Sequence, residues 1–374
     1  MILQTSFLLL ARSVGIVTAC VAGILFVCPF ASFTAPASDT ALQFHGALLA
    51  AEDATSERLR NLKSAGVTAI AIPIHNDKAS RGSEKRASKR IQENGLSLCF
   101  WIEVARCPEL AKAHPGWMAS LQGHQEWRRL FGSMPAPGDG EVVKNYPWVP
   151  ILNKEPFEGQ LSRVKELLRD RPQPKMIFLN DLQGAPSACG CGHHLCRWTS
   201  DYGKLRTTTP LGAGAPADFA TAVGKLTPLC EVVPVWTTEC EQHDGAKDGL
   251  CAGVRCFQGK CWEVWTEQLT PMAARFQTIG ALLPYKAFQR DLPVYGAEAG
   301  WLAHAVRSFQ TMPARYKAPP VPASRLLAVL QGWEVTEREI AVQFGAARAA
   351  GVQRILVSHH KIEQDWTPRI TKVR

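Results

Sequence analysis

The stretch MIFLNDLQGAPSACGCGHHLCRW, residues 176–198, decides the fold. Met176 to Leu179 is a short continuous apolar run and reads as a buried strand. It ends in an amide and a carboxylate, Asn180 and Asp181; eight residues later come Cys189-Gly-Cys191 and then Cys196. A buried strand that delivers an acid at its C-terminal end, into a loop stapled by cysteines, is how parallel α/β barrels build active sites.

Seven further apolar runs of the same kind lie along the chain: Leu42–Ala50, Val67–Ile74, Leu96–Val104, Glu231–Thr237, Ile279–Tyr285, Leu326–Gln331 and Arg354–Ser358. Most are followed by helical pattern, and strands alternating with helices indicate a parallel sheet. Eight such units predict a (β/α)8 TIM-like barrel over residues 38–374, with elaborated, cysteine-stapled loops after strands three, four and five. Only the stretch 361–374 follows the eighth strand, too short for a full closing helix plus its loop. A doubly wound sheet is the other arrangement, but no G-x-G-x-x-G follows an early strand. The long stretch Val104–Asn153, rich in Trp and Pro, reads as an elaborated loop after strand three.

One internal echo supports repetition. Ser64 to His75 (SAGVTAIAIPIH) parallels Ala349 to His360 (AAGVQRILVSHH). In each, a helix ends at a glycine suited to the left-handed position, Gly66 or Gly351, and a β-branched strand follows at once. The helix entering the second unit opens with Thr336-Glu-Arg-Glu339, a capping-box pattern.

The chain of 374 residues is 46% hydrophobic and 20% charged, globular values that allow a sizeable core. Its formal charge is +9, and the basic residues are spread out except at Arg81–Arg90. That run contains Glu84 and no aromatics, so it reads as a solvated helix face, not a nucleic-acid surface. Residues 1–37 carry one charged residue, Arg12, then an apolar stretch from Val14 to Phe33 and small residues at Ala35-Pro-Ala37. They read as a signal peptide or an uncleaved membrane anchor; a lipoprotein box at Val17–Cys20 is a minor option. Either way the rest of the chain faces an extracytoplasmic space, with membrane contact only through this segment. Ten cysteines remain outside it, and an even number in an exported chain favours disulfides.

Carboxylates recur at predicted strand ends: Glu103 after strand three, Asp181 after strand four, Glu239 after strand five, Glu334 after strand seven. On one rim of a barrel they would converge. Glycosidic cleavage needs two carboxyl groups across the bond, one protonating the leaving oxygen and the other attacking the sugar or activating water. Asp181, Glu239 and Glu334 are the candidate catalytic residues. Asn180, Glu103, the tryptophans Trp101, Trp236 and Trp333, and the histidines His75, His359 and His360 are candidates for holding substrate. Indole faces stack on sugar rings, although core packing is their commoner use. A histidine at a strand end can bind a hydroxyl or move a proton. No cofactor is implied. As an alternative to disulfides, Cys189, Cys191 and Cys196 with His193 could hold a structural zinc. The partner is a carbohydrate; a non-catalytic sugar-binding or envelope barrel and a zinc-dependent hydrolase are the alternatives.

Several segments together resemble bacterial barrel proteins grouped with glycoside hydrolases, distantly family-10-like and family-42-like. His114-Pro-Gly-Trp117 followed by Gly123 is similar to their H-P-x-W…G segment after strand three. Asn153 and Pro156 resemble their Asn/Pro helix start, and Phe178–Asp181 with the Cys189–Cys196 loop resembles their D…C-x-C-x-x-C loop, which in family-42 relatives is associated with zinc. The likeness covers about residues 96–200. The last cysteine gap here is four residues instead of two, with His193-His194 inside it. One clan of such barrels carries Asn-Glu where this chain has Asn180-Asp181; others place Asp at strand four and Glu at strand five, which suits Asp181 and Glu239. The resemblance implies a sugar-active barrel.

Overall fold

The computed structural model describes residues 44–114, 117, 120–122, 141–145, 149–182, 197–199, 211–237, 269–285, 302–303, 306–307, 310, 320–362 and 368–372. Eight strands are parallel and in sequence order around a closed barrel. They are β1 (Phe44–Leu48), β2 (Ala69–Pro73), β3 (Ser97–Glu103), β4 (Met176–Asn180), β5 (Glu231–Thr237), β6 (Ile279–Leu283), β7 (Leu326–Gln331) and β8 (Arg354–Ser358). The ring closes where β8 pairs with β1, Phe44 opposite Arg354 and Leu48 opposite Ser358. These are the eight apolar runs of the sequence: four keep the expected bounds and four are shorter by one or two residues at one or both ends.

Alternation along each strand sorts side chains into two apolar clusters. Phe44, Leu48, Ala69, Ala71, Cys99, Trp101, Met176, Phe178, Val233, Val235, Leu282, Leu327, Val329 and Leu356 fill the barrel. The intervening residues, among them Ile70, Ile72, Phe100, Ile102, Ile177, Leu179, Trp236 and Ile355, pack with helix residues such as Leu59, Ile91, Val164 and Phe219 in the outer layer. A strand buried on both faces carries no polar alternation, which is why each one shows as an unbroken apolar run.

The surrounding helices include α1 (Ser56–Ser64), α2 (Lys78–Glu93), α3 (Pro108–Ala113), α4 (Lys154–Leu168), α5 (Ala215–Leu226) and α6 (Glu337–Ala349). Their starts follow local chemistry. Thr55 and Asp77 cap α1 and α2 by accepting from Arg58 N and Ser80 N. The capping box Thr336–Glu339 is formed at α6. α1 and α6 end alike: Val67 N donates to Leu62 O as Val352 N does to Ala347 O, around Gly66 (φ 87°) and Gly351 (φ 86°). Both are Schellman endings, in which a left-handed glycine lets the chain turn straight into the next strand.

The basic run Arg81–Arg90 lies on α2, and Glu84, Ala87, Ser88 and Ile91 are its buried face. The insertion between β3 and α4 holds α3 and two strands, Ser120–Gln122 and Glu141–Asn145. These join Arg197–Thr199 and Pro368–Lys372 in a four-stranded sheet whose pairings are all antiparallel. Among the described residues after β8 there is no helix. Among the described residues no helix is long and apolar enough to cross a membrane. Residues 1–43 lie outside the described residues.

Three cysteines expected in disulfides are free thiols: Cys99 inside the barrel, Cys107 after β3 and Cys230 before β5. Burial pushes their thiols up, to about 12, 11 and 12 respectively. The remaining cysteines lie outside the described residues.

Candidate active site at the C-terminal mouth of the barrel

The inward positions of β3 and β4 come into register at the mouth, with Glu103 opposite Asn180. Trp101 and Phe178, the inward residues one step below, lie with ring centroids 6.0 Å apart and floor the site. Glu103 is half-buried. Its Oε1 accepts from Trp101 Nε1 at 2.7 Å, and its Oε2 from Asn180 Nδ2 at 2.7 Å. Both oxygens are thereby fixed by neutral donors, as suits a carboxylate held in one rotamer. Arg163 of α4 donates to the carbonyls of Glu103 and Val104, tying the strand end to the helix layer.

Asp181 follows at once, and its backbone is left-handed, φ 57°. Side chains rarely take that conformation without over-determining contacts. Arg106 supplies one: its Nε donates to Asp181 Oδ2 at 3.1 Å, the side chains being 9% and 1% exposed. Asp181 Oδ1 is buried with no donor to it. Burial raises the Asp181 carboxyl well above the usual carboxylate range; Arg106 opposes this, and Glu103, in hydrogen-bonding contact with it, adds to it. Glu103 and Asp181 are thus acids at two successive strand ends of the mouth, one half-buried and one fully buried.

Glu334 sits just beyond β7, four positions round the ring from β3, and is also left-handed, φ 54°. It is exposed and ion-paired with Lys361 Nζ at 2.6 Å. Glu239 lies outside the described residues, as do Cys189, Cys191, His193 and Cys196. Among the described residues no three or more His, Cys, Asp and Glu side chains gather as metal ligands.

The three tryptophans part company. Trp101 turns into the barrel, 1% exposed, and serves Glu103. Trp333 packs with the inner cluster at 8% exposure. Trp236 is fully buried in the outer layer. Its parity explains this: Val233 and Val235 face inward on β5, so Trp236 faces the helices.

The histidines border the mouth. His359 N and His360 N both donate to Leu48 O, at 2.9 and 3.1 Å, which joins the ends of β8 and β1. Burial lowers the basicity of both rings, with Glu103 opposing this at His360. His75, after β2, is more exposed and lies against Glu84 of α2. Sequence reasoning missed Arg106 and Glu84. Glu84 shares the spacing of Ala87, Ser88 and Ile91 on the buried face of α2, so the helical period alone carried that signal. Off the barrel axis, a groove of about 930 Å³ runs along α4, lined in part by Asn76, Glu109, Arg163, Glu166 and Leu226.

No family model matches the chain, and no curated protein matches it. Among solved structures it is similar to an endo-1,4-β-D-mannanase from Thermotoga petrophila RKU-1, with TM-score 0.44 and 11% identity, covering 84% of this chain and 88% of that one. It is similar to a β-galactosidase from the psychrophilic Marinomonas ef1, with TM-score 0.45 and 8% identity, covering 84% of this chain and 53% of that one, so it spans about half the length of that protein. It is also similar to an HpcH/HpaI aldolase from Desulfitobacterium hafniense DCB-2, with TM-score 0.37 and 11% identity, covering 85% and 86%.

Proposed function

We propose that this barrel is an exported hydrolase of glycosides, working through carboxyl groups at the C-terminal mouth. One observation carries the reading: Glu103 faces the mouth with both oxygens fixed by Trp101 and by Asn180, the latter next in sequence to a buried carboxyl, Asp181. Glycosidic cleavage needs two carboxyl groups facing each other across the bond, and no cofactor. Glu103, the more accessible of the two, is the group that meets the sugar, as nucleophile or as base for water. Asp181 stands behind it, and burial favours its protonated form. Glu334, beyond the end of β7 and ion-paired with Lys361, is the carboxyl this reading assigns to the leaving oxygen.

The test is turnover by the full chain on a panel of 4-nitrophenyl glycosides and polysaccharides, read as aryl or reducing-end release. Glu103→Gln is expected to lose at least about 100-fold in kcat with an unchanged melting temperature. A panel that yields no product, or a variant as active as the parent, rejects the reading. Export is supported by the apolar segment 14–33 after Arg12. N-terminal sequencing of protein from the cell envelope or medium should find a start near residue 38 or an intact anchor, and recovery only from the cytosol rejects export.

The buried Arg106–Asp181 pair favours a second reading, a barrel that holds sugars without cleaving them. Saturable oligosaccharide binding with no product would support it over the first.

A further inference from the structure

Two of the three exposed large apolar side chains among the described residues lie together at the end of the barrel where the strands begin. Leu226, 39% exposed, closes α5, and Leu229, 85% exposed, sits in the turn that leads into β5. Cys230 N donates to Thr227 O at 3.0 Å, which puts Pro228 and Leu229 at the two central positions of a tight turn. Proline suits the first of these. Thr227 is buried and its Oγ1 donates to Val223 O at 3.3 Å, so the turn is fastened to α5 with Leu229 at its tip. Exposed lysines flank it. Lys225 lies in the last turn of α5, and Lys175 precedes β4, its carbonyl accepting from Glu231 N at 3.1 Å. The acid nearest in sequence, Glu231, is taken by Arg354 through two bonds. The described segments that lead into the strands carry Arg169, Arg171, Lys175 and Arg325 against one acid, Asp170. The helix dipole accounts for a base in a last turn, such as Lys225. It does not account for Lys175, which lies in no helix, or for an apolar turn set among bases.

We propose that this end of the barrel rests on an anionic phospholipid surface, with Leu226 and Leu229 in the headgroup layer and Lys175 and Lys225 on the lipid phosphates. Apolar side chains flanked by bases are what such a surface retains, through buried apolar area and charge together. The covalent chain selects lipid over other polyanions. β1 begins at Phe44 on this same end, and the apolar stretch 14–33 lies just ahead of it. Residues 34–43 between them span at most about 36 Å, so a chain anchored by that stretch holds this end within that reach of the bilayer. Docking here leaves the mouth, at the other ends of the same strands, open to a polymeric substrate. The inference goes beyond the glycosidase reading and does not depend on turnover.

The test reconstitutes the full chain with vesicles of phosphatidylcholine alone, or of phosphatidylcholine and phosphatidylglycerol in equal parts. Lysines are acetylated with a water-soluble reagent and their rates read by mass spectrometry. Lys175 and Lys225 are expected to react about fivefold more slowly on the anionic vesicles, the scale of one lysine contact with such a surface. Lys78 and Lys154, exposed at the starts of α2 and α4, should keep their rates. High salt should abolish the protection. Leu229→Ser, at a position with no packing to lose, should return both lysines toward their rates on neutral vesicles with an unchanged melting temperature. Equal rates on the two vesicle types overturn the inference, and so does full protection in Leu229→Ser. Protection that needs no lipid and grows with protein concentration would make this face a contact between copies of the chain, and overturns it as well. Turnover on the glycoside panel is measured separately, so either reading can fail alone.

Discussion

Glu103 and Asn180 face each other in register across β3 and β4, and the Asn180 amide donates to Glu103 Oε2 at 2.7 Å. Asn180 is fully buried, and its own Oδ1 has no partner. An amide that leaves one end unpaired in order to aim the other is placed for Glu103. Asn180→Ala removes a hydrogen bond to a charged group, a difference of about 1.5–3 kcal/mol. We expect kcat to fall between about tenfold and a hundredfold. Asn180→Asp should be worse, because it sets a second acid against Glu103. An Ala variant with full activity would show that Glu103 needs no such orientation.

The protonation of Asp181 can be read from stability. Its folded carboxyl binds a proton more tightly than the unfolded one, whose ordinary value is 3.8. Above that pH the native state holds the proton that the unfolded chain has released, so stability falls as pH rises toward the folded value. Asp181→Asn removes this slope. The melting temperature of the variant should exceed that of the parent by a margin that widens as pH rises above 3.8 and closes below it. A margin that instead favours the parent at neutral pH would mean an ionised Asp181 held by Arg106. Thermal melts across pH 3 to 8 check the sign.

His359 and His360 make stability depend on pH in the opposite sense to Asp181. Burial lowers both rings below the ordinary 6.5, so below that pH the unfolded chain takes up protons that the native mouth refuses. Stability from these two is present above 6.5 and is lost as pH falls toward their folded values. His360→Gln should flatten the acid side of the stability curve. An unchanged slope would place the ring in water in the native state.

The barrel was legible because its physics is local. A parallel strand covered on both faces must be apolar throughout, and Ile70, Phe100, Ile177 and Leu356 each lie in such a run. The strand-end position of Glu103, Asn180 and Asp181 followed from those runs. The four-stranded antiparallel sheet was not legible: SLQ, EVVKN, RWT and PRITK are short and partly polar, and their pairing is set by distant partners. The Arg106–Asp181 bond was equally hidden, since nothing in the spacing of residues 106 and 181 says that a loop after β3 folds over the end of β4. Trp236 is a different case. Its outward parity was present in Val233-Pro-Val235-Trp236, but the pull of an indole near a strand end outweighed it.

The repeated Gly66 and Gly351 endings give a matched pair of substitutions. At Gly66 a Cβ would meet nothing within 4 Å, so Gly66→Ala isolates the cost of the left-handed backbone, about 1 kcal/mol. At Gly351 a Cβ would also lie 3.1 Å from the Ala323 Cβ. Gly351→Ala should therefore cost more than Gly66→Ala in denaturant unfolding. Equal losses would mean that the segment around Ala323 yields freely.

The floor of the barrel supplies the last expectation. Arg354, 8% exposed, points inward from β8 and meets Glu231 of β5 with two bonds, Nη1 to Oε1 at 3.0 Å and Nη2 to Oε2 at 3.1 Å. Thr278 donates to the same carboxylate at 2.5 Å, and the guanidinium lies 5.7 Å from the Phe44 ring centroid. These groups close the end of the barrel opposite Glu103, so they bear on stability and not on chemistry. Arg354→Met keeps the volume and strands the Glu231 charge. Breaking a buried pair costs on the order of 3 kcal/mol, toward the low end here because the Glu231 side chain is 34% exposed. Pairing it with Glu231→Gln removes the stranded charge and should recover part of the loss. Urea melts of the single and double variants decide this, and turnover per folded molecule should stay at the parental level in all of them. A fall in kcat without a fall in stability would place Arg354 in the site's own network.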